Sequence, residues 1–183
     1  LIPPMRLLII NFEYPPLGGG GGVATKQLAE KLAERHTVHV LTTHFTGLSH
    51  TEVCNGATLH RVRVLGRQSL PVASLVSLLT FVPAALWRGW WLCRQERFNV
   101  INAQFAVPSG LVAWPLARWL GVPFILSFIG GDVYDPSKGT SPHRNVVLRW
   151  LIRRLARVAA ARTAISSDVA RRARELHGVE QPI

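Results

Sequence analysis

Asn11-Phe12-Glu13-Tyr14-Pro15-Pro16-Leu17, followed by Gly18, Gly19, Gly20, Gly21 and Gly22, separates the apolar run Leu7-Leu8-Ile9-Ile10 from a helical pattern that begins at Val23. Consecutive apolar residues bounded by turn formers read as a strand buried on both faces. Glycines ahead of a helix leave backbone N–H groups uncovered at the positive end of its dipole, which suits a phosphate or another anion. Lacking side chains, they also let the backbone approach a ligand closely. The dinucleotide fingerprint is not met, because a G-x-G-x-x-G begun at Gly18 needs glycine where Val23 stands, and the second strand ends in Thr42-Thr43 rather than an acid. A P-loop is excluded too, since Lys26 does not directly follow a glycine. The plain alternative is a surface turn. A place at the carboxyl end of the first strand of an open sheet favours the ligand.

Outward from this loop, short apolar runs alternate with helical patterns. Helix is expected over residues 23–35, strand over 37–43, and an alternating strand over 57–64 with Leu59, Val62 and Val64 among polar partners. Next come strand 99–103, helix 108–120, strand 123–128, a loop through Pro142, helix 144–160, strand 163–166 and helix 168–176. A further strand is expected to begin near 180–183. Strands alternating with helices predict an α/β fold, a Rossmann-like open parallel sheet with helices on both faces. One domain is expected over 5–183, with residues 1–4 ahead of Met5 as an extension or remnant.

Of the 183 residues 48% are hydrophobic and 17% charged, which excludes disorder driven by low apolarity. The formal charge is +11, and 18 of the 21 basic residues are Arg, so an anionic partner is expected: phosphate, nucleic acid or an acidic membrane. Two cysteines, Cys54 and Cys93, are too few for a disulfide framework and favour a reducing compartment. No export signal is visible at the N-terminus. Residues 70–87 lack formal charge over about the length needed to cross a bilayer. Leu75, Leu78, Leu79, Val82, Leu86, Trp90 and Cys93, however, recur at three- and four-residue steps, as in a long buried amphipathic helix kinked at Pro83.

Gly130-Gly131-Asp132 follows the strand at 123–128 and reaches the same rim. A carboxylate beside glycines can accept hydrogen bonds from sugar-like hydroxyls, or close an Asx-turn. Asn102 and Gln104 offer neutral amides there, or satisfy local backbone. In the basic C-terminal third, Leu148, Leu151, Ile152, Leu155 and Ala159 fall on one side of a helical wheel, opposite Arg149, Arg153, Arg154 and Arg157, with Trp150 between. An indole among arginines suits an anionic membrane interface, or a solvated face with Trp150 packed under arginine stems. The seven histidines are scattered without metal-ligand spacing, so no metal site is expected. No G-x-S-x-G elbow occurs.

The runs Met5-Arg6-Leu7-Leu8-Ile9-Ile10-Asn11-Phe12-Glu13-Tyr14-Pro15-Pro16 with the glycines, Gln104-Phe105-Ala106-Val107-Pro108-Ser109-Gly110 and Gly130-Gly131-Asp132-Val133-Tyr134-Asp135-Pro136 resemble the N-terminal domain of a family-4 retaining glycosyltransferase of the GT-B fold. The resemblance covers nearly the whole chain in order. It implies one half of a pair of Rossmann-like domains facing across a cleft, with the acceptor held here and the nucleotide-sugar donor, UDP- or GDP-linked, on a C-terminal domain beyond this sequence. It implies no catalytic metal. It places Gly18 to Gly22 against the donor phosphates and the acceptor, and Glu13, Tyr14, Asn102, Gln104, Gly130, Gly131 and Asp132 on the acceptor side. Many relatives carry histidines where this chain has Asn102 and Gln104, and histidine or arginine where it has Ile129. The paired glutamates of such enzymes belong to the other domain, so no catalytic residue is assigned here and the expected role is positioning.

The resulting expectation is the acceptor-side domain of a sugar transferase acting on a carbohydrate or lipid-linked acceptor. It is expected to be inactive in isolation, cytoplasmic, and peripheral at the inner face of the cell membrane through the Arg149, Trp150, Arg153, Arg154 and Arg157 face. The alternative is a non-catalytic basic module for an anionic membrane or nucleic acid, with Phe12, Tyr14 and the arginines as a stacking surface. Nucleic acid is not expected as a partner of the transferase.

Overall fold

The computed structural model describes residues 3–70, 73–135, 142 and 144–179. The expected continuation of a loop across 136–141 and 143, the start of the extension at 1–2 and the strand expected near 180–183 lie outside the described residues.

β1 (Arg6–Ile10) sends its side chains alternately into two cores. Leu8 and Ile10 enter one, Leu7 and Ile9 the other. β2 (Thr37–Thr43) pairs with it on one edge and β5 (Val100–Gln104) on the other, both parallel. β3 (Thr51–Cys54), β4 (Ala57–Val62), β6 (Phe124–Phe128) and β7 (Ala161–Ala164) complete a sheet of order β3-β4-β2-β1-β5-β6-β7. Every pairing is parallel except β3 with β4. The parallel sheet is as expected; the antiparallel edge strand β3 was not. Asn55 and Gly56 join β3 to β4 with φ of 47° and 84°, the two left-handed residues of a tight hairpin turn, for which Asn-Gly is the strongest short signal. β4 stops at Val62, two residues before the expected end.

α1 (Gly20–Ala33) lies on β2 and β4 over the core of Leu7, Ile9, Val38, Val40 and Leu59. α2 (Leu75–Gln95), α3 (Ser109–Leu120) and α4 (Val146–Val158) lie side by side on the opposite face, over Leu8, Ile10, Ile101, Leu126 and Phe128. α5 (Ser167–His177) packs on β6, β7 and α4.

The buried face of α2 is offset from the expected stripe, of which Cys93 is buried and Leu78, Val82, Leu86 and Trp90 pack on the core. Ser77, Phe81, Ala85, Gly89, Leu92 and Cys93 face inward, whereas Leu75 and Leu79 are exposed and Leu78, Val82, Leu86 and Trp90 are half-buried. The reason is close approach. A Cβ at Gly89 would sit 2.5 Å from Leu116 Cδ1 and 3.3 Å from Leu41 Cδ2, so this side of α2 fits against α3 and the sheet only because it is small. α2 is long and apolar enough to cross a membrane by length and composition. Its inner side is nevertheless fixed to the fold by these contacts. On α4 the expected wheel holds in the main: Ile152, Leu155 and Ala159 are buried with Leu148 and Leu151 half-buried, and Trp150, Arg153, Arg154 and Arg157 are exposed, with Arg149 half-buried.

His39 and His60 stack between β2, β4 and α2, with His39 Nδ1 3.0 Å from His60 Nε2 and Arg88 Nη2 3.2 Å from His60 Nδ1. Guanidinium can only donate, so His60 Nδ1 accepts, its Nε2–H donates to His39, and both rings are neutral. Burial first, then His39 and Arg88, push the His60 pKa down to about 4. Burial lowers that of His39 as well. Because the folded values lie below the unfolded value of about 6.5, stability is intact above that pH and falls as the pH drops toward 4, by on the order of 2 kcal/mol for His60. Thermal melts at pH 7 and pH 4.5 should therefore differ less for His60→Gln than for the parent. An equal pH dependence in both would remove the pair as its source.

Candidate functional site

Parallel register brings the carboxyl ends of β1, β4, β5 and β6 to one rim, and the loops that follow them meet there. Asn11 is fully buried at the end of β1 and organises the first loop. Its Oδ1 accepts from Glu13 N at 3.0 Å, and its Nδ2 donates to Thr25 Oγ1 at 2.6 Å. Thr25 Oγ1 donates in turn to Gly21 O at 2.8 Å, which fixes the first turn of α1 against the strand.

The glycines are not equivalent. A Cβ at Gly21 would lie 2.3 Å from Phe105 Cζ and 3.0 Å from Ile129 Cγ2, and one at Gly22 would lie 3.0 Å from Leu17 O. These positions are small because the loop is packed there. Around Gly19 and Gly20 nothing lies within 4 Å of such an atom. α1 begins at Gly20 with no side-chain cap and no acid in its first turn, so no charge of the helix itself offsets its dipole. Gly19 N donates to Glu13 Oε2 at 3.3 Å, which puts the half-buried Glu13 at this loop.

Tyr14 does not reach the rim. It is 1% exposed in the core beneath α1, near Cys54, Glu30, Glu52 and Arg61, and burial pushes its pKa up. A buried ring of this kind has no surface to offer an acceptor. Asp132 is also buried, and its carboxylate is occupied: Oδ2 accepts from Ala106 N at 2.8 Å, Oδ1 from Gly130 N at 3.0 Å and Ile129 N at 3.2 Å. Burial pushes its pKa up while the backbone donors pull against that shift. The carboxylate closes the loop on itself, as the plainer reading had it, but through N–H groups that precede it rather than through an Asx-turn, and it ties this loop to the one after β5; Gly131 is left exposed and Gly130 half-buried at the rim.

Asn102 and Gln104 lie within β5 and are tied to each other. Gln104 Nε2 donates to Asn102 Oδ1, Asn102 Nδ2 donates to Ser127 Oγ at 2.9 Å, and Thr163 Oγ1 donates to Ser127 Oγ at 2.8 Å. This chain of polar groups crosses β5, β6 and β7. It occupies the sheet face that bears Ile9, at strands that α1 does not cover.

Two features at the rim were not among the expected site residues. Arg67, in the loop after β4, lies 5.3 Å over the Phe12 ring and donates from Nη2 to Leu70 O at 2.8 Å, the same carbonyl that accepts from Gly18 N at 2.9 Å. Its Nε and Nη1 are buried without a hydrogen-bond partner among the described residues. Burial lowers its pKa and nearby Glu13 opposes that. The second feature is an apolar pair. Phe105, held at φ 73°, and Ile129 close over Gly21. A bulky residue in that left-handed region is strained, so the surrounding contacts must hold it there.

The basic face expected on α4 forms along the helix: Val146, Arg149, Trp150, Arg153, Arg154 and Arg157 line one shallow groove. Arg153 Nε donates to His177 O at 2.9 Å, and Arg154 lies 5.7 Å over the Trp114 ring. Among the described residues no three His, Cys, Asp or Glu side chains group as metal ligands.

Sucrose-phosphate synthase from Thermosynechococcus elongatus superimposes on 98% of the chain with a TM-score of 0.74 at 15% identity. The Anabaena HepE protein, solved in complex with UDP and glucose, superimposes on 98% with a TM-score of 0.62 at 16% identity. The chain spans 47% and 44% of those two structures, about half their length. At such identities the likeness is one of fold, the Rossmann-like half of a GT-B architecture. No curated protein sequence matches the chain. Residues 19–183, from the glycine loop to the last residue, match the glycosyl transferase 4-like domain, and the chain belongs to that family.

Proposed function

We propose that this chain is the acceptor-side domain of a retaining glycosyltransferase that moves a sugar from a UDP- or GDP-linked donor to a carbohydrate or lipid-linked acceptor. The observation that carries the reading is the glycine N-terminus of α1 at the junction of four loops, where a Cβ at Gly19 or Gly20 would meet nothing within 4 Å. The partner across the rim is a C-terminal donor domain of the same protein. HepE, which shares the fold, binds UDP-glucose.

In this role the domain positions rather than reacts. The leaving nucleotide phosphate gains negative charge as the glycosidic bond to the donor breaks, and fixed donors aimed at that charge favour the transition state. Backbone N–H groups of the first turn of α1 are the groups of this chain suited to that task, with the positive charge of Arg67 behind the glycine loop. Phe105 and Ile129 exclude water above Gly21 and supply no base. Gly130, Gly131 and Glu13 are the rim groups left to contact an acceptor, with Asp132 holding the loop behind them. Peripheral contact with an anionic membrane through Arg149, Trp150, Arg153, Arg154 and Arg157 belongs to the same reading, at the cytoplasmic face.

Transfer assays on the enzyme assembled with its donor domain test this. Gly20→Val adds a side chain where nothing of the chain lies within 4 Å, so it should leave the melting curve intact while lowering kcat/KM by about 100-fold. Normal turnover would reduce the glycines to a turn. Gly22→Ala should do the opposite in a denaturation titration, costing about 1–2 kcal/mol against the Leu17 carbonyl. Arg67→Met should raise the donor KM about tenfold, and a donor titration without that shift would place Arg67 outside the site.

A further inference from the structure

We infer that the outer face of α2, α3 and α4 is a lipid-binding surface, on which the exposed stripe of α2 enters the interface of an anionic bilayer while the arginines of α3 and α4 engage its headgroups. The inference rests on the membrane part of the proposed function and moves its centre from the arginines of α4 to the apolar side of α2.

Leu75, Leu79, Pro83, Trp87 and Trp91 follow one another at steps of four along α2, and a step of four keeps residues on one side of a helix. Leu75, Leu79 and Trp87 are each 65% exposed. Side chains of this size rarely stand together in water on a soluble chain. The stripe runs for about 24 Å along the helix axis. At its C-terminal end Trp87, Trp90 and Trp91 pack together, with ring centroids 5.4 to 6.2 Å apart, and Trp90 reaches Trp119 of α3 at 6.1 Å. Trp114 of α3 and Trp150 of α4 continue the same outer layer, so all six tryptophans of the chain are on these three helices. Indole rings favour the boundary between hydrocarbon and headgroup.

Charge selects the occupant. α2, α3 and α4 contain no Asp or Glu but carry Arg88, Arg94, Arg118, Arg149, Arg153, Arg154 and Arg157. None of the seven is in an ion pair among the described residues; Arg88 is turned in toward His60, and Arg94, Arg118, Arg153, Arg154 and Arg157 are exposed. An apolar stripe bordered by unneutralised arginines and tryptophans matches an anionic lipid surface. A second copy of this chain would bring the same positive charge against it. A membrane-crossing α2 would have to abandon Leu116 and Leu41, against which Gly89 is fitted, so the helix lies in the interface plane.

The test uses the protein assembled with its donor domain, with vesicles of phosphatidylcholine, alone or with about 30% phosphatidylglycerol, and needs no sugar donor or acceptor. Binding is expected with the anionic vesicles only, falling at least about fivefold from about 0.05 M to about 0.5 M salt. Brominated acyl chains should quench the tryptophan fluorescence. The double variant Leu79→Glu, Trp87→Glu alters only exposed side chains, so circular dichroism should show an unchanged fold, and binding should fall about tenfold. The Arg153→Gln, Arg154→Gln, Arg157→Gln variant should weaken binding further. No binding at low salt, no quenching, or binding indifferent to the Glu pair would overturn the inference. Binding lost only with the arginines would leave the α4 contact standing and overturn the role of α2. A dimer in light scattering that the Glu pair dissolves would overturn it in favour of self-association. None of these results bears on sugar transfer, which the Gly20→Val assay reads separately.

Discussion

The central strand β1 must bury both faces while hydrogen-bonding on both edges, and most of the structure answers to that requirement. Leu8 and Ile10 need a core on one side, Leu7 and Ile9 a core on the other, and parallel neighbours β2 and β5 supply the backbone partners. Parallel neighbours require crossovers, and the crossovers are the helices that cover the faces. The same parallel register turns the strand ends the same way. Loops after β1, β4, β5 and β6 therefore meet at one rim whatever their individual sequences. Asn11 then couples the rim to the strand, since its amide spans the Glu13 backbone and the Thr25 hydroxyl within the first turn of α1.

Small residues decide how the helices settle on this sheet. Gly89 admits Leu116, and at Gly110 a Cβ would lie 3.0 Å from Leu155 Cδ1, so α2, α3 and α4 approach closely through their least bulky positions. The consequence appears on the outside. Bulk excluded from these contacts has nowhere to go but the surface, and α2 is left with leucines and tryptophans facing outward.

This is why the fold was more legible in the sequence than the site. Alternating apolar runs and helical patterns located β1, β2, β5, β6 and the main helices, because burial of both sheet faces writes itself into composition. β3 was missed although Asn55-Gly56 announces its hairpin, since Thr51–Cys54 is a half-exposed edge with no apolar run. On α2 periodicity found Leu78, Val82, Leu86, Trp90 and Cys93, which pack on the core, but drew in Leu75 and Leu79, which are exposed, and left out Phe81, Ala85 and Gly89. A helix apolar nearly all round gives no moment to distinguish a side packed on protein from a side left bare, and only the fit at Gly89 does so. At the rim, residue type suggested that Tyr14 and Asp132 would face a ligand, yet burial claims the first and backbone donors claim the second. Arg67 had the opposite fate. Nothing in its neighbourhood of sequence marks it, and only the path of the β4–α2 loop brings it beside Phe12 and the glycines.

That loop also relates the two surfaces. The carbonyl of Leu70 accepts from Gly18 of the glycine loop and from Arg67, and five residues later the exposed stripe of α2 begins at Leu75. A bilayer lying along α2 would accordingly have its surface beside the rim rather than across it. A lipid-linked acceptor held in that bilayer would need to lift only its head into the space in front of Gly19 and Gly20. The rim would then be shared by two chemically distinct approaches, an anionic donor from solution toward the α1 dipole and an amphipathic acceptor from the α2 side.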